Sequence, residues 1–479
     1  MIQIENLTYR YPENSTFALQ NINLSVKSGE SLAVMGANGS GKSTFTKIIA
    51  SLLKADRGKC EIQSKSILPV GMIFQNPDNQ FVAMTVEKEL AFTMENLGWE
   101  HEKIEFKIQK TLDEFKLTEY RKRLISELSG GEKQRLAIAS VMAVSPDILI
   151  LDEPDSFLDR SGQKILFEQL GYVKQENQNL IIIHVTQYKE IAKKYNRMLV
   201  FYDGEIVADE TPEKIFSNLS FLLKTKLDYP KSSLQSLDSN LIKSKQTNEN
   251  MSLAVKNLKF GYIEPYDLYN SLSFNIDKGK ITAVIGESGS GKSTLISILN
   301  KLIDVEKNTL SIVSSDSEVR EVKSSDAASV FQQPEKQFFL PTVKEEIQFG
   351  PRNKKEKLSE IEIKSYLDLV GLKYSDIAER DPITLSGGEK RRLAFAVVLA
   401  LKTDFILFDE PTCGLDPHGV GIFTELVENL KFLNKGIIIV SHDYRLVRDI
   451  GDSFILLSKK SHPKILSKSD FLNQSPEFF

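Results

Sequence analysis

The sequence predicts an α/β protein built as two tandem halves, each a mostly parallel sheet with helices on both faces. Three observations carry that expectation. Long motifs recur along the chain, short β-branched runs alternate with helical patterns inside each copy, and a polar segment without apolar period separates the copies. At 479 residues the chain is long enough for more than one core.

In chain order, SLAVMG at 31–36 reads as a buried strand running into a glycine turn, and KSTFTKIIASLL after it as a helix. DILILDE and NLIIIHVT read as two more core strands. From about Val86 to Val144 strand patterns are missing and helical ones such as KIEFKIQKTLDEF take over, so a helical subdomain interrupts the sheet. The order then repeats. GANGSGKST at 36–44 returns 250 residues later as GESGSGKST. IFQNPDNQF, LSGGEKQRLA and DILILDEP return 257 residues later as VFQQPEKQF, LSGGEKRRLA and DFILFDEP. Domains are expected at 1–228 and 251–479. Between them 229–250, rich in Ser, Lys, Asn and Gln, has linker composition.

Composition excludes several classes. The formal charge of −4 and pI near 6.0 lack the overall basic footprint of a nucleic-acid binder, and no nucleic-acid partner is expected. Two cysteines, Cys60 and Cys413, can build neither a disulfide framework nor a four-cysteine metal site; they fit a reducing compartment, and neither is given a redox role. The N-terminus has no apolar h-region and nowhere do about 18 apolar residues run together, so the chain is expected neither to enter nor to span a membrane by itself.

GxxxxGK[ST] between a strand and a helix arranges backbone N–H groups around phosphate oxygens at the positive end of the helix. The expected cradles are Gly36, Asn38, Gly39, Ser40, Gly41 and Thr44, and Gly286, Ser288, Gly289, Ser290, Gly291 and Thr294. Lys42 and Lys292 should reach the β- and γ-phosphates, and the hydroxyls of Ser43 and Ser293 a Mg²⁺ ion. Asp152 and Asp409 end apolar strands where they can hold that ion. Glu153 and Glu410, one step on, can orient or deprotonate an attacking water. Gln75 and Gln332 follow strands in both copies and are expected to touch phosphate, water or metal. A chance glycine turn, or glutamates that only cap a helix, would explain one such motif but not two in the same context.

With LSGGE standing between each of these loops and a DEP motif, the chain resembles the ATP-binding-cassette ATPases over nearly all of both halves. The resemblance implies P-loop nucleoside-triphosphatase domains with an antiparallel N-terminal β part, ATP and Mg²⁺ as cofactors, and ATP hydrolysis coupled to transport. It also implies head-to-tail pairing of the halves, each ATP lying between the phosphate loop of one and the LSGGE of the other. Ser129, Gly130 and Gly131 would then serve the Lys292 site, and Ser386, Gly387 and Gly388 the Lys42 site; Asp159 and Asp416 match the D-loop, and Tyr11 and Tyr262 the aromatic that stacks on adenine. Helices following the two signatures can present N–H groups to a phosphate. Ordinary strand aromatics are the other reading of the tyrosines.

FQNPDNQ and FQQPEKQF resemble more narrowly the ATPases of energy-coupling-factor importers of vitamins and transition metals. That resemblance implies a transmembrane coupling subunit and a substrate-binding membrane subunit in trans, and peripheral attachment at the cytoplasmic face of the cell membrane. Phe81, Val82, Phe338 and Phe339 are the candidate contacts, with core packing as the alternative; Trp99 is read as core. Other transporter classes, and soluble tandem-cassette ATPases acting on ribosomes, are the competing readings.

The halves differ in two of these motifs. The second reads DEPTCGLD and IIIVSHD, the family pattern with His442 as its switch histidine. The first reads DEPDSFLD and IIIHVTQY, with Asp155 and Phe157 in unusual places and Gln187 aligned with His442, while His184 is read as a strand side chain. A glutamine amide can donate a hydrogen bond but cannot carry charge. The first site is therefore expected to turn over more slowly.

Overall fold

The computed structural model describes all residues except 13–15, 65, 76, 156, 157, 159, 230–250, 263–267, 288, 315–317, 459–461 and 474–479. Two compact units divide it, Met1–Tyr229 with Asp416–His418 in the first and Pro230–Leu415 with Gly419–Phe479 in the second. From residue 230 the expected linker lies outside the described residues.

Each half contains a six-stranded core sheet. In the first its order is Val70–Ile73, Ile148–Asp152, Ile181–Val185, Ser31–Gly36, Arg197–Tyr202, Glu205–Glu210; all neighbours are parallel except the last pair. The second repeats this order with Ala327–Val330, Phe405–Asp409, Gly436–Val440, Ile281–Gly286, Ser453–Leu457 and Lys464–Ser467. A smaller antiparallel sheet accompanies each, built on Ile2–Tyr9 in one half and Met251–Phe260 in the other.

Period-two alternation sends the core strands' side chains to two layers. Leu32, Val34, Ile181 and Ile183 pack with Phe45 and the antiparallel sheet. Ala33, Met35, Leu149, Leu151 and Ile182 face the helices. The helical subdomain is present as Val86–Asn96, His101–Glu114 and Gly130–Met142, and Trp99 packs against its core beneath the Lys103 ammonium, 4.2 Å from the ring centroid. The helix after the first phosphate loop, Lys42–Ile49, is shorter than its sequence pattern, because Ser51 turns left-handed at φ 59°. Among the described residues no helix is long and apolar enough to cross a membrane.

Candidate active site

Both phosphate loops sit where their strands stop at the sheet's C-terminal edge. Glycine is required there by space as well as by φ. A Cβ on Gly36 would meet the carbonyl oxygen of Phe201 at 2.4 Å, and one on Gly41, at φ 104°, the carbonyl oxygen of Ala18 at 2.5 Å. A Cβ on Gly286 would meet the carbonyl oxygen of Leu457 at 2.2 Å, and one on Gly291, at φ 97°, the side chains of Tyr269 and Leu268. Lys42 Nζ lies inside its loop, donating to the carbonyls of Gly36 and Ala37 at 2.8 and 2.9 Å. Lys292 repeats this with Gly286 and Glu287 at 2.8 and 2.9 Å. Burial lowers the pKa of Lys42 while Glu153 and Asp152 work against it, and an anion in the loop would add to the groups that favour its charged form.

Asp152 and Asp409 end their strands, both buried. Burial raises both pKa values; Ser43 and Lys42 oppose it at Asp152, and Ser293, Lys292 and Arg391 at Asp409. Ser43 Oγ donates to Asp152 Oδ1 at 3.2 Å. Glu153 and Glu410 follow, each left-handed at φ 50°, a conformation that costs a non-glycine residue about 1 kcal/mol or more and is fixed here by N–H bonds to Val185 and Val440 (3.0 and 2.9 Å). That turn aims their carboxylates back over the loop. Burial raises the pKa of both.

Strand register settles the alignment of the differing segments. His184 lies opposite Ala33 and Leu151 as Ile439 lies opposite Ala283 and Phe408, and the N–H groups of Thr186 and Ser441 donate to Val34 and Val284. Gln187 therefore occupies the place of His442. Its Nε2 donates to Glu153 Oε1 at 2.8 Å and approaches Asn38 Oδ1 at 3.4 Å. His442 Nε2 lies 3.1 Å from Glu410 Oε1 without hydrogen-bond alignment, while its backbone N–H donates to Oε2 at 3.1 Å.

The glutamine loops diverge. Gln75 Nε2 donates to Glu153 Oε2 at 3.1 Å. The Gln332 side chain is exposed and makes no bond to Glu410; its carbonyl instead accepts from Arg391 Nη2 at 2.7 Å, and Arg391 Nη1 donates to the carbonyl of Glu410. The first half has Gln134 at that position, its Nε2 buried and unbonded. Sequence reasoning passed over Arg391, whose one signal is GEKRR against GEKQR.

The signature helices begin directly after their serines, at Gly130 and Gly387. Ser129 with Glu132 and Ser386 with Glu389 form capping boxes. Tyr11 and Tyr262 reach their own phosphate loops, hydroxyl to Thr44 Oγ1 at 3.2 Å and to Thr294 Oγ1 at 3.1 Å. Asp416 immediately precedes the helix Pro417–Phe432. Phe157, Asp159 and Ser288 lie outside the described residues. Of the four candidate contact residues, Phe81 and Phe338 turn toward their cores, whereas Val82 and Phe339 stay exposed.

ATP with Mg²⁺ fits these groups. Among the described residues, Ser40 Oγ and Ser290 Oγ are buried in the loops without partners, as is Asp409 Oδ1. Unbonded hydroxyls suit phosphate oxygens, and a buried, unbonded carboxylate oxygen suits a hard cation. The loops and their lysines would bind phosphates, Ser43, Ser293, Asp152 and Asp409 the ion, and Glu153 and Glu410 would take a proton from water.

The ABC transporter family profile matches residues 19–156 and 269–413. A Methanosarcina acetivorans protein named "Putative ABC transporter ATP-binding protein" is 31% identical, the match covering 94% of this chain and 87% of that one. The Bacillus subtilis "Putative HMP/thiamine import ATP-binding protein YkoD" is 29% identical over 95% of this chain and 90% of its own. Among solved structures, cbiO1 from Clostridium perfringens, part of the ABC transporter complex cbiONQ, is 28% identical over 48% of this chain and 96% of its own, with a TM-score of 0.42.

Proposed function

From the premise that the chain belongs to the ABC transporter family and is an ATPase with two ATP-binding cassettes, we propose that it is the energy-coupling subunit of a membrane importer of the energy-coupling-factor type. It would work peripherally at the cytoplasmic face, with Mg²⁺, carrying a vitamin or transition metal through membrane subunits supplied in trans. The head-to-tail pairing of the cassettes belongs to the same reading and rests on the motifs.

One observation carries the membrane part of this reading. Beside each glutamine loop, apolar side chains stand in the open: Val82 and Met84 at 66% and 79% exposure in the first half, Phe339 at 64% in the second. Phe339 is steadied edge-on by Phe349, ring centroids 4.8 Å apart. Equivalent apolar exposure in both copies suits a pair of docking points. The name of the Bacillus relative, which mentions HMP and thiamine, supports a vitamin-like cargo.

The test is co-isolation of the full chain with membranes and its membrane partners, and stimulation of its ATPase by them. Val82→Glu combined with Phe339→Glu is expected to release the chain while ATP binding is unchanged. Continued attachment would remove these residues from the interface, and sedimentation with ribosomes instead of membranes would overturn the importer reading.

A further inference from the structure

Three polar side chains of the first half stand where the second half has Thr412, Ile439 and Ile450. They are Asp155, His184 and Tyr195. His184 and Asp155 are fully buried and Tyr195 is 8% exposed. Tyr195 Oη lies 2.6 Å from His184 Nδ1, and His184 Nε2 lies 2.9 Å from Asp155 Oδ1. Thr186 Oγ1 donates to Asp155 Oδ2 at 2.7 Å and accepts the N–H of Tyr188 at 3.1 Å. Phe167 stacks on the imidazole, centroids 5.9 Å apart.

The network has a direction. Among the described residues the buried Tyr195 hydroxyl bonds His184 Nδ1, and donation from the hydroxyl satisfies both atoms. With the hydroxyl as donor to Nδ1, the Nε2–H donates to Asp155 Oδ1, and Asp155 also receives Thr186. The second half shows that the fold does not need this set, since Ile439 holds the strand position of His184 and Ile450 lies in the same core. Burying a carboxylate and an imidazole where the second half has a threonine and an isoleucine does not favour stability, so the set calls for a reason other than folding.

Its place supplies one. Asp155 is two residues past Glu153, and Thr186 immediately precedes Gln187. The network thus joins the loop leaving Glu153, the turn carrying Gln187 and the segment after the helix Lys189–Ala192. A glutamine has more rotamer freedom to lose than an imidazole, so its amide depends more on a fixed backbone to stay on Glu153. We propose that Asp155, His184 and Tyr195 are positioning residues of the first-half ATP site, an internal clamp that keeps Gln187 in register with Glu153. This rests on the ATPase reading above.

The experiment uses the full chain with Glu410→Gln to silence the second-half carboxylate, and follows single-turnover hydrolysis, ATP affinity and thermal melting together. The triple change Asp155→Thr, His184→Ile, Tyr195→Ile imports the second half's residues. It is expected to leave ATP affinity and melting close to the parent while slowing turnover about tenfold, within the range that small misplacement of a reacting group produces. His184→Ile alone should show the same loss, and His184→Gln, which can still accept from Tyr195 and donate to Asp155, should regain most of it. Histidine-selective ¹⁵N spectra should show His184 as the neutral Nε2–H tautomer, released by Tyr195→Phe. Unchanged turnover in the triple variant, equal loss of affinity and turnover, a charged imidazole, or a parent that binds ATP without hydrolysing it at this site would each overturn the clamp. A parent that binds no ATP would instead refute the ATPase reading, with the tautomer spectrum still reporting on the network.

Discussion

Lys292→Ala is expected to remove most ATP binding at the second-half loop and, with it, most of the chain's ATPase activity. The ammonium is 7% exposed and donates to two carbonyls of its own loop. Its loss takes away a charge-assisted phosphate contact worth about 1.5–3 kcal/mol, roughly ten- to a hundredfold in Kd. It also frees the carbonyls of Gly286 and Glu287, so the loop loses the tether that keeps its amides pointing inward. Lys292→Met, which retains the stem, loses both the charge and the tether but keeps the volume under the loop, so it separates these polar effects from simple loss of packing. Titration of the full chain with a fluorescent ATP analogue checks this, with Lys42→Ala as the companion variant. Two sites of undiminished affinity in Lys292→Ala would dissociate this lysine from the phosphates.

Both halves could be recognised in the sequence because strand, glycine loop and helix are local, and apolar runs such as SLAVMG and DILILDE mark strands buried on both faces. The loops, the DE pairs and the signature serines were legible for the same reason. What escaped depends on pairing between distant segments. GEKRR against GEKQR is plain to see, yet Arg391 gains meaning only from the carbonyls of Gln332 and Glu410, 59 and 19 residues away. His184 was legible as a strand residue, but its partners are Tyr195 and Asp155, 11 and 29 residues off, brought together by the parallel sheet. Gln75 and Gln332 occupy the same motif, and only the structure separates a side chain bonded to Glu153 from one turned to solvent. Likewise Phe81 and Val82 are both apolar, and the turn geometry decides which of them packs inward.

The first half's departures from the second lie in one neighbourhood. Gln187 donates to Glu153, Asp155 lies two residues past Glu153 and bonds His184, and Gln134 stands where the second half has the arginine that tethers Glu410. Glu153 accepts two neutral amides, from Gln75 and Gln187, whereas Glu410 has an imidazole beside it and Arg391 on its carbonyl. An imidazole can take up positive charge as negative charge develops nearby; an amide cannot.

Glu410→Gln is therefore expected to abolish nearly all steady-state ATP hydrolysis, and Glu153→Gln to cause a milder loss. The exchange is isosteric, so binding survives while a carboxylate that could take the proton from water is lost; groups in that role contribute about 10²–10⁴ in rate. If most turnover passes through the second-half carboxylate, the whole chain falls by nearly that factor in Glu410→Gln. In Glu153→Gln the smaller flux disappears and the larger continues. The Gln187 site is set back in advance, since a missing positioned donor commonly costs about 10²–10³. Gln187→His should then raise first-half turnover, measured with Glu410→Gln, if the imidazole is what that site lacks. Gln134→Arg, which supplies the second-half tether, is the independent comparison for backbone placement. Equal losses in Glu153→Gln and Glu410→Gln would mean that the sites are equivalent or strictly coupled, and the asymmetry would be abandoned.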